Sequence, residues 1–278
     1  MHSKTLRTPL TILALTWALG AFAQNTQSVF IEDLTWTELQ AQIQAGKRIV
    51  IIPIGGTEQS GPYIALGKHN ARVKALSEKI ALTLGNALVA PVIAYVPEGT
   101  ISPPTAHMKF PGTITVPETV FQKTLESAAR SFKLHGFRDI VFLGDHGGYQ
   151  ASLKTVADQL NRDWFGTPAK AYAALEYYRV TQTEYVRSLK ARGYRDEEIG
   201  NHAGLADTSL MLAIDPRLVR KEKLHGELHF EKGDGIDGDP RRATAELGQI
   251  GVDAIVAQTV DAIRKAVAQH ESASRKTK

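Results

Sequence analysis

The chain has 278 residues, of which 43% are hydrophobic and 22% charged, a composition typical of a soluble globular protein with a sizeable core. These values exclude intrinsic disorder, a collagen-like chain and a multi-span membrane protein. The net charge of +4 comes without a basic stripe interleaved with aromatic residues, so nucleic-acid binding has little support. The absence of cysteine excludes disulfides and thiolate chemistry, so any metal must be held by histidines and carboxylates.

Residues 1–23 have the layout of a secretory signal peptide. Two basic residues precede an apolar run at residues 10–19, and an Ala-Phe-Ala cleavage site ends at Ala23. The apolar run is shorter than the roughly 20 residues needed to span a bilayer, which disfavours an uncleaved anchor helix. We therefore predict cleavage after Ala23 and export to a bacterial periplasm. The mature protein would be a single domain of residues 24–278 without membrane contact.

The rest of the chain alternates between short apolar runs and amphipathic segments. Residues 48–54, Arg-Ile-Val-Ile-Ile-Pro-Ile, are typical of a strand buried on both faces of a parallel sheet. This βαβα order indicates one α/β domain with a mostly parallel sheet between helical layers. Further strands are predicted at 87–93, 139–143 and 169–175, and helices at 35–45, 70–84, 117–136, from about 150, and at 182–192, 207–214 and 244–270.

Candidate metal ligands follow two of the predicted strands. Ligands of open α/β sheets bind at the carboxyl ends of the strands. The loop after the first strand carries Glu58 and leads to His69, and the turn after the third carries Asp145 and His146. One carboxylate and two imidazoles, Glu58, His69 and His146, form a ligand set for a catalytic Zn²⁺ with its fourth position open. Asp145 is either a further ligand or the group that orients His146.

Each of these residues also has an ordinary structural explanation. A loop glutamate such as Glu58 is usually solvated, and His69 is equally compatible with a surface position at a helix start. His202 precedes a predicted helix and is either a general acid–base or a helix cap. The glycines around His146 lack the spacing of nucleotide-binding loops, and Ser60 does not lie in a nucleophile elbow.

Several segments together resemble the motifs of the creatininase (creatinine amidohydrolase) family. Residues 53–67, Pro-Ile-Gly-Gly-Thr-Glu-Gln-Ser-Gly-Pro-Tyr-Ile-Ala-Leu-Gly, are similar to its signature loop. The resemblance spans essentially the whole mature chain and implies a three-layer α/β/α fold, metal-dependent hydrolysis of amide C–N bonds and a homo-oligomer, often a hexamer. Further segments match in order and spacing at 110–113, 143–150, 202–209 and 238–243.

The same resemblance implies a ligand set and a metal count. The ligand positions of the family's first metal fall on Glu58, His69 and His146, the middle one being a carboxylate in the family. The positions of the second metal fall on Ser60 and Gly148, which cannot hold an ion. We therefore expect one divalent metal per protomer. The imidazole of His69 favours zinc over manganese.

Other matched positions imply roles in catalysis and substrate binding. His202 corresponds to the family's catalytic histidine, and Asp207 replaces a family glutamate as a supporting residue or proton relay. Tyr63 and Ser60 stand where the family has histidines, and His107 has a frequent histidine counterpart. We expect these three residues to bind the substrate, and the departures disfavour creatinine itself.

We therefore predict an exported, single-metal amidohydrolase that cleaves a C–N bond of a small cyclic or linear amide. A metal-activated water would attack the carbonyl, and His202 would protonate the leaving nitrogen. The alternative is a periplasmic binding or scaffold protein on a catalytically decayed enzyme fold. A third interpretation keeps the metal but changes the bond to that of a lactone or a formamide.

Overall fold

Parallel strands form the centre of the molecule. The computed structural model describes residues 28–224 and 233–276, so the predicted signal peptide lies outside the described residues. The strands within these ranges are β1 (Ile49–Ile54), β2 (Ala87–Val89), β3 (Asp139–Gly144) and β4 (Lys170–Ala173). They pair in the order β2-β1-β3-β4, and each pair is parallel.

Helices connect and cover these strands. The described ranges contain α1 (Trp36–Gln44), α2 (Lys68–Leu84), α3 (Glu118–Leu134), α4 (Gln150–Asp163), α5 (Glu176–Gln182), α6 (Glu184–Lys190), α7 (Asp196–Ile199), α8 (Leu205–Ile214), α9 (Lys221–Leu224) and α10 (Ala245–Lys276). Short 3₁₀ turns occur at Ile31–Asp33, Ala106–Lys109, Gly147–Tyr149, Pro216–Leu218 and Pro240–Arg242. None of the helices in the described part of the chain is both long and apolar enough to cross a bilayer.

The side chains of β1 alternate between two hydrophobic cores. Ile49 and Ile51 pack into a core shared with α2, α5, α8 and α10. Val50 and Ile52 face the opposite core, which α1, α3 and α4 cover. Every residue of β1 is buried, as expected for a strand covered on both faces. The three-layer α/β/α architecture predicted from the sequence is therefore confirmed.

Two differences from the predicted boundaries concern a strand and a helix. The second strand ends at Val89, four residues earlier than predicted, and the chain then pairs with β1 through an isolated parallel bridge between Ile93 and Ile54. The helix predicted at 182–192 corresponds to α6, and α5, which was not predicted, precedes it and ends at Gln182. The backbone of Thr183, with φ −123° and ψ −86°, is not helical and separates the two.

Candidate active site

The carboxyl ends of β1 and β3 lie side by side and bring two functional segments together. Ile54 pairs with Gly144, so the loop that carries Glu58 and the turn that carries His146 leave the same edge of the sheet. The Tyr149 hydroxyl lies 2.8 Å from the Ile54 carbonyl oxygen and accepts from the His146 N–H at 3.0 Å. This buried tyrosine therefore ties the two strand ends to each other.

Six ionisable side chains form a closed ring beneath this edge, which we call the buried ring: Glu58, Lys68, His69, Arg72, Asp145 and Asp207. His69 lies between two carboxylates of the ring. Its Nε2 is 2.7 Å from Glu58 Oε1, and its Nδ1 is 2.5 Å from Asp145 Oδ2. Burial and Lys68 act against protonation, but Glu58 and Asp145 outweigh them and raise the pKa of His69.

Two cations from α2 complete the ring. Arg72 donates from Nε to Asp145 at 2.8 Å and from Nη1 to Asp207 at 2.7 Å. Lys68 Nζ lies 2.8 Å from Asp207 Oδ2 and 3.5 Å from Glu58 Oε1. Because acids and bases alternate around the ring, each buried charge has an opposite charge on both sides. Asp145 also accepts a hydrogen bond from the Tyr177 hydroxyl at 2.5 Å.

A second group of side chains converges on the other oxygen of Glu58. Glu58 Oε2 lies 3.2 Å from His107 Nε2 and 3.4 Å from His146 Nε2, and Glu98 Oε1 lies 3.8 Å from His146 Nδ1. One ligand atom from each of these four residues falls within 4.8 Å of all the others. We call Glu58, Glu98, His107 and His146 the convergent group. Glu98 and His107 reach it from the long connection between β2 and α3.

The convergent group fits a divalent cation. Glu58 Oε2 and both oxygens of Glu98 are buried and have no hydrogen-bond partner among the described residues. Bonds of about 2.0–2.2 Å in a tetrahedral zinc site place neighbouring ligand atoms about 3.3–3.6 Å apart. The distances from Glu58 Oε2 to the two Nε2 atoms agree with this range. Unpaired buried carboxylate oxygens are costly, and a bound cation would satisfy them.

The two carboxyl groups of the convergent group have opposite electrostatic environments. Burial alone would raise the pKa of Glu58, but His69 and Lys68 overcome it and hold that pKa far below its ordinary range. Burial and the adjacent charge of Glu58 raise the pKa of Glu98 to about 9. Burial and the nearby His69 lower the pKa of His146 to about 3, which keeps its imidazole neutral and suited to a metal.

His202 lies at the edge of the convergent group. Its Nε2 lies 2.9 Å from the carbonyl oxygen of Gln59, to which it can donate, and 3.1 Å from the Gln59 side-chain amide nitrogen, from which it can accept. Nδ1 lies 3.7 Å from Glu58 Oε1. Burial and the charge of Lys68 lower the pKa of His202 to about 4, so the ring is neutral at neutral pH.

A small cavity of about 60 Å³ opens beside these residues. Its walls include His146 and His202 together with Asp207, and polar side chains of α5 such as Thr181 and Gln182 also line it. This volume has room for a few waters and not for a whole drug-sized ligand. The cavity therefore brings water or one polar end of a substrate next to His146 and the neutral His202.

Two residues expected at the substrate are placed elsewhere. Tyr63 is fully buried and donates its hydroxyl to the Ala203 carbonyl, so it braces the segment that carries His202. Ser60 is also fully buried and does not line the cavity. His107, the third of these residues, is partly exposed and faces Glu58, as described above.

His69 and Asp145 lie together in the buried ring. Both nitrogens of His69 face carboxylates there, and its role as a metal ligand stays a prediction. Asp145 contacts His69 Nδ1 at 2.5 Å. Glu98 was missed by the sequence analysis. It is the only acidic residue between Glu78 and Glu118, and this isolation is the signal that would have singled it out.

The layered fold and the convergent group at the carboxyl edge of the sheet suit a metal-dependent hydrolase. The solved structure described as "Crystal structure of creatinine amidohydrolase (creatininase)" superimposes on this chain with a TM-score of 0.72 and 24% identity, covering 87% of this chain and 99% of that one. At this level of identity the comparison establishes the fold.

The sequence comparisons establish the family. The family model described as "Creatininase: Creatinine amidohydrolase" matches residues 32–263, and the chain belongs to this family. The creatinine amidohydrolase of Pseudomonas putida is 27% identical over 265 residues, 86% of this chain and 98% of that protein. The 3-dehydro-scyllo-inosose hydrolase of Thermotoga maritima is 27% identical over 200 residues, 72% of this chain and 60% of that protein. The chain is thus a metal-dependent hydrolase of the class that acts on C–N bonds.

Proposed function

We propose that this chain is an exported amidohydrolase that uses one divalent metal to cleave a C–N bond in a small cyclic or linear amide. The observation that carries the proposal is the convergent group, which holds unpaired buried carboxylate oxygens and whose His146 lines a cavity together with His202. The imidazoles in this group favour zinc over manganese. The substrate is proposed only as a class, because pocket shape and not the family determines which amide is bound.

The side chains divide the chemical work between them. When bound, the metal would lower the pKa of a water and polarise the substrate carbonyl. His202 is neutral at neutral pH, so it can first accept a proton from the attacking water and then donate it to the leaving nitrogen. Asp207 accepts from Lys68, Arg72 and the Ala203 N–H at 3.0 Å, and therefore holds the segment next to His202 in place.

The test is hydrolysis by metal-stripped protein, residues 24–278, reconstituted with Zn²⁺ or Mn²⁺ and offered a library of amides and lactams. We expect turnover only with metal. His146→Ala should lose both metal and activity, whereas His202→Ala should keep the metal and lose ~10²–10⁴ in rate. His135→Ala, on an exposed helix end, is the matched control and should behave as the unmodified protein.

The outcomes separate this proposal from its alternatives. Metal binding without turnover of any amide would contradict the amidohydrolase assignment. Turnover of lactones alone would keep the metal chemistry and change the bond. Full activity of His202→Ala on the true substrate would remove His202 from the mechanism.

Export and assembly belong to the proposal as well. The signal-peptide pattern of residues 1–23 supports cleavage after Ala23 and a periplasmic location. N-terminal sequencing of the protein from a periplasmic extract should give Gln24 as the first residue, and an intact Met1 would contradict export. The family resemblance supports a homo-oligomer, a hexamer above all, and light scattering on the purified mature protein measures its mass.

A further inference from the structure

His69 stands at a family ligand position, but both of its nitrogens are engaged within the buried ring. Nε2 lies 2.7 Å from Glu58 Oε1, and Nδ1 lies 2.5 Å from Asp145 Oδ2 and 3.2 Å from Arg72 Nη2. Ionised carboxylates only accept hydrogen bonds, so the imidazole donates in the two short contacts. Arg72 and the Tyr177 hydroxyl hold Asp145 in turn, so the partner of His69 Nδ1 is itself fixed. A metal at His69 would have to break one of these two buried contacts.

The two oxygens of Glu58 serve different partners. Oε1 faces His69 and Lys68, within the buried ring. Oε2 has no hydrogen-bond partner in the described part of the chain and faces His107 and His146 instead. The buried ring therefore orients Glu58 so that one oxygen is available to a cation.

Glu98 offers a cation buried carboxyl oxygens that have no hydrogen-bond partner among the described residues. Its side chain is 3% exposed, and neither of its oxygens has a hydrogen-bond partner among the residues described. Its Oε1 lies 3.8 Å from His146 Nδ1, which accepts from the Gly148 N–H at 3.2 Å, and one of its oxygens lies within 4.8 Å of a ligand atom of each other member of the convergent group. The Glu98 N–H donates to Thr115 Oγ1 at 3.0 Å, which anchors its backbone. A buried carboxyl group among two imidazoles and a second carboxylate, with no hydrogen bond to either of its oxygens among the described residues, is arranged for a cation.

We infer that the metal of this chain is held by Glu58, Glu98, His107 and His146, and that His69 is a positioning residue acting through Glu58. This inference rests on the proposed function in requiring that the protein bind a divalent metal. Two carboxylates and two imidazoles would form the ligand set, and a water or substrate would bind as a fifth ligand, a coordination number that catalytic zinc can reach. A single ion is expected, because the buried ring occupies the far side of Glu58.

The test is metal titration of stripped protein, which needs no substrate. Co²⁺ reports its ligands through visible absorption bands, and Zn²⁺ competition gives the affinity. The unmodified protein should bind one equivalent. Glu98→Gln should change the Co²⁺ spectrum and weaken Zn²⁺ binding by more than about 100-fold, beyond the about 10–100-fold typical of residues behind the ligands. His69→Gln should keep one equivalent and the shape of the spectrum, with affinity lowered within that range.

Two further variants make the result independent of misfolding. Asp139→Asn removes another buried carboxylate, one that Tyr172 holds away from the site, and should leave metal binding unchanged. Asp145→Asn weakens the support of His69 without touching the convergent group and should still bind one equivalent. Glu98→Gln should melt no lower than the unmodified protein when metal-free, because it removes an unpaired buried carboxyl, but should lose the thermal stabilisation by Zn²⁺.

Each outcome decides the inference. The inference is wrong if Glu98→Gln keeps the Co²⁺ spectrum and the Zn²⁺ affinity of the unmodified protein. It is also wrong if His69→Gln and Asp145→Asn both fold but bind no metal. If the predicted pattern appears and no amide is hydrolysed, the ligand assignment stands and the proposed function fails. If the unmodified protein binds neither ion, both fail.

Discussion

Arg72 is the residue whose loss should be most costly to folding. Its side chain is 3% exposed and donates to Asp145 at 2.8 Å and to Asp207 at 2.7 Å. Arg72→Met would remove one of the two basic partners of each carboxylate, leaving Asp145 with His69 and Asp207 with Lys68. Breaking such a pair from one side costs about 3–5 kcal/mol. At roughly 2–4 °C per kcal/mol for a chain of this size, the melting temperature of the metal-free protein should fall by about 6–20 °C.

The matched control is Arg130→Met on the surface of α3. Arg130 also pairs with two carboxylates, Glu126 and Asp163, but its side chain is 42% exposed, and exposed pairs contribute about 0–1 kcal/mol. Circular dichroism in a thermal and a urea series measures both variants. Arg72→Met combined with Asp145→Asn should cost less than the two single changes added together, because the residues are in contact. Equal melting of Arg72→Met and Arg130→Met would refute the reasoning.

Two other predictions concern the segments that position the site. Tyr149→Phe should lower the free energy of unfolding by about 1–3 kcal/mol, because it removes the hydrogen-bond acceptor of the His146 N–H. The control is Tyr95→Phe, on a side chain that is 62% exposed, which should change that free energy by no more than about 0.5 kcal/mol in the same urea titration. Gly200→Ala should lower both the melting temperature and kcat/KM, because a Cβ there would lie 1.9 Å from the Asp237 carbonyl oxygen. Gly193 also has a positive φ (+86°) but has open space around it, so Gly193→Ala measures the backbone strain without a steric clash. Equal effects of the two substitutions would contradict the packing argument.

The sheet was predictable because its strands are short apolar runs that stand out in the sequence. An uninterrupted apolar run such as β1 is stable only when covered on both faces, and the helices between the strands provide that cover. The parallel pairing of Ile54 with Gly144 then puts the residues after both strands at one edge. The break at Thr183 was not predictable in this way, because no proline or glycine marks it and the neighbouring helices decide it.

The candidate site was predictable where a residue follows a strand directly. Glu58 and His146 do so, and both belong to the convergent group. Glu98 was missed because it reaches the group along a connection of more than twenty residues, whose path no local pattern specifies. The role of His69 depends on Arg72 and Asp145, which surround it only in the folded chain.

The first turns of α2 show why the buried ring and the fold depend on each other. The helix begins with Lys68 and His69, and Arg72 follows one turn later, with no acid in its own first turn. Cations near a helix N-terminus oppose the helix dipole, and their burial adds a further cost. Carboxylates from three other segments, Glu58, Asp145 and Asp207, offset both costs. Because these partners come from segments far apart in the sequence, they meet only in the folded chain, and the contacts that orient Glu58 are a consequence of folding.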